Sequence, residues 1–416
     1  MEMPDVLPDV ISKFPQFYLL SLTEKIGASG TVTNSTQSWH KQGNTRTAAV
    51  ASAVANGTTT TATLTLDTAY SAANGNLGYF LVGDIVRVAE SDEVGLVTAV
   101  GNSGGTVQTI DVVRYNGGSW STALVDTNAN ISHIGSAFEE GSTGPGYRNY
   151  FPENDWNITQ IERRAFKITR DAMTAKHWVT GPNGEKKWYT SVENVEQRNL
   201  ARDIEATILW GKRNKASGLQ GKNFTRGLME YATGSGITKT FSSSLGVQEA
   251  DWADLLTELS DQQGSNNLIA LCGSTILRDT QFALKQDYRS IPNSEKPAEL
   301  AGLNFQSYEI MGKSVHFAKY ELFSDTSLVP AVDASSTVKD YRNLALILDF
   351  SQTENGANIQ VKYRDGARMI QKMIPGMPSP GPTAASSVDA IQGELLTEFM
   401  PQCFLPNRLG LIYANS

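Results

Sequence analysis

The strongest periodic signal in the chain lies between Glu185 and about Arg213, where Trp188, Val192, Val195, Leu200, Ile204 and Ile208 recur at helical spacing. That pattern predicts one long amphipathic helix. At ~1.5 Å per residue it would be a rod of roughly 40 Å. Gly181-Pro182-Asn183-Gly184 breaks the chain before it, and Gly211 and Gly218 bracket its end. A second amphipathic helix is expected over Gln248–Gln263, through Trp252, Leu255, Leu256 and Leu259. Around these helices lie short apolar runs that read as strands: Leu268–Cys272, Leu344–Leu348, taken as a central strand, and Ile359–Tyr363. Ser274 is placed to cap the helix after the first of them. Phe305–Phe317 predicts a hairpin turning near Gly312. A Pro- and Gly-rich loop, Pro375–Pro382, precedes a last strand region from Glu394 to Tyr413.

Residues 41–135 have a different texture. Thr, Ala, Gly, Asn and Val dominate, and Asn56-Gly57, Asn74-Gly75 and Asn116-Gly117 recur as hairpin-turn signals. Between them Thr63–Leu66, Ile85–Val88 and Val107–Val113 alternate with period two, as half-buried strands do. The stretch predicts a small all-β barrel or sandwich of its own.

Two segments read as limbs without a local partner. Residues 1–40 are broken by Pro4, Pro8 and Pro15, yet carry the apolar cluster Phe14, Phe17, Tyr18, Leu19 and Leu20, which something else must cover. Beyond Gly144-Pro145-Gly146, Trp156–Ile161 and Ala165–Thr169 form an extended stretch, basic on one side and aromatic on the other. It reads as a protruding ribbon.

The 416 residues exceed what one ordinary core uses, so two or three packed units are expected. The net charge of −8 argues against a dedicated nucleic-acid binder. That charge is uneven. Residues 1–159 sum to −8, residues 160–226 to +7 and residues 227–416 to −7. A basic middle between acidic flanks suits pairing between copies of one chain, although a solvated helix face gives the same composition. No apolar run is long enough to span a membrane, and the N-terminus lacks the pattern of a secretory signal. Cys272 and Cys403 suit a reducing compartment and read as small core residues.

Reactive chemistry is sparse. His40, His133, His177 and His316 are isolated from one another and from cysteines at metal-ligand spacing. There is no nucleophile elbow and no phosphate loop. Glu139-Glu140 are adjacent rather than facing, and only Asp349 and Asp365 are left as a carboxylate pair that sequence cannot place. No catalytic residue, metal site or cofactor is therefore expected.

The order of parts carries a resemblance: proline-broken arm, extended ribbon, long helix, α/β unit, final strand. With Val82-Gly83-Asp84-Ile85-Val86-Arg87, Glu139-Glu140-Gly141-Ser142, Asn157-Ile158-Thr159-Gln160-Ile161 and Arg202-Asp203-Ile204-Glu205, ending in Leu209-Trp210-Gly211, the chain resembles the major capsid proteins of tailed bacteriophages. These share the fold named after phage Hong Kong ninety-seven. The resemblance implies an α+β fold with an N-terminal arm (1–40) and an extended loop (41–57 and 136–180). An inserted β domain (58–135) would sit in that loop. A peripheral domain with its spine helix (185–250 and 391–416) and an axial domain (251–390) complete the expectation.

It also implies a non-enzymatic subunit of an icosahedral shell around double-stranded DNA, assembled in the host bacterial cytoplasm into the virion capsid. The implied partners are copies of itself in pentamers and hexamers, decoration or cement proteins, a portal complex, and packaged DNA held without sequence specificity. A scaffolding protein is expected to be separate, because the arm follows Met1 almost at once. Inter-subunit contacts are expected at Phe14, Phe17, Tyr18, Trp39, Trp156, Ile158 and Phe166. The basic group Arg163, Arg164, Lys167 and Arg170 would face acidic surface on the next copy. An encapsulin-like compartment shell and, in a different class, an extracellular sugar-binding protein or hydrolase using the β domain are the alternatives.

Overall fold

The computed structural model describes residues 18–41, 48–55, 59–66, 80–89, 92–103, 107–120, 130–143, 153–169, 188–215, 221–287, 299–300, 303–304, 306–310, 312–324, 341–353, 356–365, 368–374, 376 and 389–415. The chain divides into two compact units, one made of residues 1–41 with 154–416 and the other of residues 42–153. The first unit is called the body below.

The described chain opens with helix α1 (Tyr18–Lys25) and strands β1 (Ser29–Val32) and β2 (Thr36–Lys41). Leu19, Leu20 and Leu22 of α1 are fully buried in the main core of the body, and Trp39 of β2 is nearly so. From Tyr18 onward the expected arm is therefore part of its own subunit's body, a correction to the expectation for 1–40. The cover comes from strands and helices more than 150 residues away, which local pattern cannot reveal. Phe14 and Phe17 lie outside the described residues.

The second unit is a closed six-stranded barrel of β3 (Ala48–Ala55), β4 (Thr61–Leu66), β5 (Asp84–Val88), β6 (Glu93–Ser103), β7 (Val107–Arg114) and β8 (Asn130–Ser136). Its order around the barrel is β3-β4-β7-β6-β5-β8, antiparallel throughout. Alternate residues point inward: Ala62, Leu64, Leu66, Val86, Val88, Ile110 and Val112 fill the interior with Phe80, Val97, Trp120 and Ile131. Closure leaves no free edge. Gly83, before β5, sits at φ +93° beneath the Phe138 ring, a backbone shape and a clearance that a side chain would not share.

Two expectations change here. Ala48–Ala55 is a barrel strand, not a limb of a loop, so the unit is wider than 58–135; its run of alanines lacks the β-branched signature. Asn116-Gly117 does form a turn, with Gly117 N–H donating to the Arg114 carbonyl, but closes no hairpin because β8 pairs with β3 and β5. The other two Asn-Gly pairs lie outside the described residues.

After the barrel unit come β9 (Glu153–Ile158), β10 (Gln160–Thr169), helix α2 (Trp188–Trp210), helix α3 (Leu228–Ser235), β11 (Ile237–Ser242), helix α4 (Glu249–Asp261), β12 (Asn267–Cys272) and helix α5 (Ser274–Asp287). Short strands β13 (Glu299–Leu300) and β14 (Leu303–Asn304) precede the hairpin of β15 (Gln306–Ile310) and β16 (Lys313–Lys319), which turns at Gly312 as expected, and helix α6 (Glu321–Ser324). Then follow β17 (Leu344–Leu348), β18 (Gln352–Thr353), β19 (Gly356–Ala357), β20 (Ile359–Arg364), β21 (Ile370–Ile374), β22 (Ala390–Cys403) and β23 (Gly410–Asn415).

These strands build two main sheets. The larger has the order β11-β23-β17-β12-β16-β15, with β17 inside it as expected. It is buried on both faces, which is why β17 reads as an unbroken apolar run. Leu344, Leu346 and Leu348 face one core with α1, α2 and α3, while Ala345 and Ile347 face another with α4 and Ile276 of α5. The other sheet has the order β1-β20-β22-β10, with β21 also paired to β22.

Helix α2 is the long helix expected, although its 23 described residues give about 34 Å. Leu200, Ala201, Ile204, Ile208 and Leu209 are buried, but Val195 is half exposed. Five positions separate Val195 from Leu200, which turns it about 140° away from the buried face. The N-terminal half of that face is polar instead: the Gln197 amide donates to Gln371 of β21 and lies within reach of Glu193.

Candidate assembly surface

The basic extended stretch is strand β10, and it has a partner. Residues Gln160–Thr169 pair antiparallel with Phe399–Ala390 of β22, some 230 residues later. β10 therefore forms an edge of the body's own sheet and is not a free ribbon. The sequence could not show this, because period-two alternation says how a strand is buried and not what it pairs with.

Its two faces differ. Arg164, Phe166 and Ile168 turn inward, the last two buried. Phe166 lies where Gly393 leaves room, and a Cβ at Gly393 would fall inside the ring. Arg164 donates to Asp203 at 2.7 Å and to Glu196 at 3.2 Å, both on α2, so its charge is already met within the subunit. Those contacts push its pKa up further, mainly through the Asp203 bond. Glu162 accepts from Thr207 of α2 at 2.6 Å, and burial lifts its carboxyl to about 7 against the Thr207 bond that opposes the shift.

The opposite face carries Ile161, half exposed, with Arg163, Ala165, Lys167 and Thr169, all exposed. Register sets Glu394 of β22 across from Ala165, and Lys372 of β21 beyond it. Leu396 lies beside Arg163, with Ile370 next in the row. The result is a sheet face at an open edge that mixes apolar and basic side chains with the exposed Glu394.

The aromatic residues expected at contacts are mostly internal. Ile158 is fully buried. Trp39 meets Phe404 edge-on at 6.3 Å between ring centroids. Trp156 is partly buried under the Arg213 guanidinium, 4.2 Å from its ring centre. Arg213 and Arg226 both pair with buried Asp155, at 3.2 and 3.3 Å. Arg226 also covers the Tyr231 ring at 4.0 Å. The buried Asn157 side chain donates to the carbonyls of Pro401 and Arg226, joining β9 to the final strands. Exposure at Ile158, Phe166 and Trp39, and a free charge on Arg164, are thus corrected: the hydrophobic effect had a nearer solution inside the subunit. Tyr18 opens α1, and Arg170 lies outside the described residues.

Candidate chemistry elsewhere resolves into structural roles. Asp349 is buried and accepts from the backbone N–H groups of Ser265 and Ser351, whereas Asp365 is exposed in a left-handed turn; the two do not form a facing pair. His133 Nε2 lies 3.4 Å from Asp84 within the barrel, His40 is exposed, and burial pushes the His316 pKa down. His177 lies outside the described residues. Cys272 and Cys403 are free and buried, and burial pushes the Cys272 thiol far up. Among the described residues no three His, Cys, Asp or Glu side chains are grouped to hold a metal ion, and no helix is long and apolar enough to cross a membrane.

The sequence model of the SU10 major capsid protein family matches residues 14–337, more than three quarters of the chain. The chain belongs to that family. It is a major capsid protein, a structural subunit and not an enzyme, and copies of it self-assemble into the icosahedral shell of a phage virion. Its fold is the mixed α and β capsid type. No curated protein matches it. Among solved structures it is similar to a chain of Mycobacterium phage Cain, at 10% identity and a TM-score of 0.40, over 95% of this chain and 90% of that one. A chain of Microbacterium phage Oxtober96 is similar at 10% identity and 0.39, over 94% and 90%. A chain of the satellite phage P4 procapsid with its size determination (Sid) protein is similar at 13% and 0.35, over 67% and 78%.

Proposed function

We propose that the outer face of β10, with Ile161, Arg163 and Lys167, is a contact surface between neighbouring capsid subunits, arranged as pentamers and hexamers around double-stranded DNA. The observation that carries this reading is the asymmetry of the strand. Its inner face is sealed by α2, while its outer face leaves an isoleucine and two cations uncovered at a sheet edge. Apolar area buried there contributes ~25 cal/mol per Å², and small contributions sum over a closed shell. The barrel unit is the inserted domain of the extended loop in this reading. α2 is the spine of the peripheral domain, and the sheet around β12 and β16 belongs to the axial domain. Scaffold, portal and decoration proteins are the further partners such a subunit would meet.

The test is Arg163→Glu with Lys167→Glu, read by sedimentation of assembled particles and by circular dichroism. Both side chains are exposed, so the subunit should keep its fold while particle yield falls at least tenfold. An unchanged yield would remove this face from the assembly contacts. Arg164→Glu is the wrong probe, because it breaks internal ion pairs and confuses folding with assembly.

A further inference from the structure

Glu205 is a fully buried carboxyl on α2, set among Ala201, Ile204, Ile208 and Leu209 of its own helix. Its Oε1 accepts the backbone N–H of Leu19 at 2.6 Å, and the N–H of Leu20 also bonds to the carboxyl. These are donors of the first turn of α1, which have no partner within their own helix. A side chain nearly 190 residues away thus caps the helix that opens the described chain. Leu19, Leu20 and Leu22 of α1 are fully buried as well.

The surroundings of Glu205 hold no compensating cation among the described residues. Tyr320, also fully buried, is the titratable group that faces it: its hydroxyl donates to the carboxyl, and its own ionisation is pushed far upward, chiefly by burial. Arg202 stands one turn earlier on α2. Glu24 and Lys25 stand at the far end of α1, where Glu24 pairs with Arg368. A carboxylate left charged in such a place is costly.

We propose that Glu205 is a proton-operated clasp: its neutral carboxyl fastens α1 to α2, and loss of that proton loosens the N-terminal segment from the subunit body. The sign follows from linkage. Burial raises the carboxyl from 4.5 to about 8 in the docked state, outweighing the Leu19 and Leu20 backbone bonds and the Tyr320 hydroxyl bond, all of which favour the anion. Undocking into water returns it to the ordinary range and releases the proton. Docking is therefore strongest below about 4.5, weakens as pH rises, and has lost this contribution once pH passes about 8. The inference concerns one subunit and stands whether or not β10 is an assembly contact.

Hydrogen exchange of the full-length chain tests it, with peptides covering 18–25 followed from pH 5 to 9 and corrected for intrinsic exchange. Opening of α1 should increase up to ~tenfold per pH unit between roughly 5 and 8 and then level off. Barrel peptides covering 107–114 should show no such slope. Glu205→Gln should abolish the slope, whereas Glu162→Gln should leave it in place. A flat wild-type profile at 18–25 overturns the proposal, and so does a slope that persists in Glu205→Gln. Should that variant fail to fold, the wild-type profile decides alone.

Discussion

The barrel and the body cover their sheets in opposite ways. In the barrel six strands curl until the last meets the first, and a compact apolar interior needs no helix to seal it. In the body, sheets are layered against helices, and the sheet holding β10 stays open at one side. Most barrel pairings join strands within about 50 residues of one another, whereas β10 waits for β22 and α1 for α2. Local pairing makes a closed unit that owes little to its surroundings. Distant pairing makes a unit whose parts depend on one another and which keeps an edge for other uses.

The sharpest way to break that contrast is Leu64→Ala. Leu64 is fully buried in the barrel interior, and truncation should cost about 2–5 kcal/mol through lost burial and a residual cavity. In denaturant melts only the barrel transition should move; an equal shift of the body transition would show the two units to be one cooperative block. Gly393→Ala is the converse probe. Its Cβ would meet the Phe166 ring, so the body should lose about 1–3 kcal/mol while the barrel transition stays in place.

Smaller effects sharpen the difference between the faces of β10. Arg164→Ala should cost ~1 kcal/mol, because it leaves Asp203 and Glu196 without their partner, and Arg163→Ala should stay within ~0.5 kcal/mol. Equal losses in thermal melts would contradict the assignment of one inward and one outward cation. The last effect is one of pH, at Glu162, whose carboxyl is raised to about 7, chiefly by burial. Its contribution is present in full below about 4.5 and lost as pH rises through about 7, so Glu162→Gln should make the fall of body stability across that window shallower, leaving the part that Glu205 contributes. A wild-type stability curve already flat there would refute it.

Much of the site was legible and some was not, for identifiable reasons. Arg163 and Lys167 stand out from the chain as cations on an alternating strand, and the structure leaves them exposed. Phe166 and Ile158 belong to the same stretch and look equally available, but both are buried within the subunit, Phe166 against Gly393. Glu205 gave a faint signal, a carboxylate on the apolar stripe between Ile204 and Ile208. A charge in that position asks for a partner, and the partner proved to be the backbone of α1.

The sequence by itself determined the long helix, the β-rich unit and its main strands, the buried strand β17, and the order of parts that resembles a capsid subunit. These follow from periodicity, turn residues and composition, which act over a few neighbours. Only the tertiary structure decided that β10 joins β22, that α1 is capped by Glu205, and which side of each strand meets water. Pairing across hundreds of residues is selected by the summed burial and hydrogen bonding of the whole unit, and no local window contains that sum.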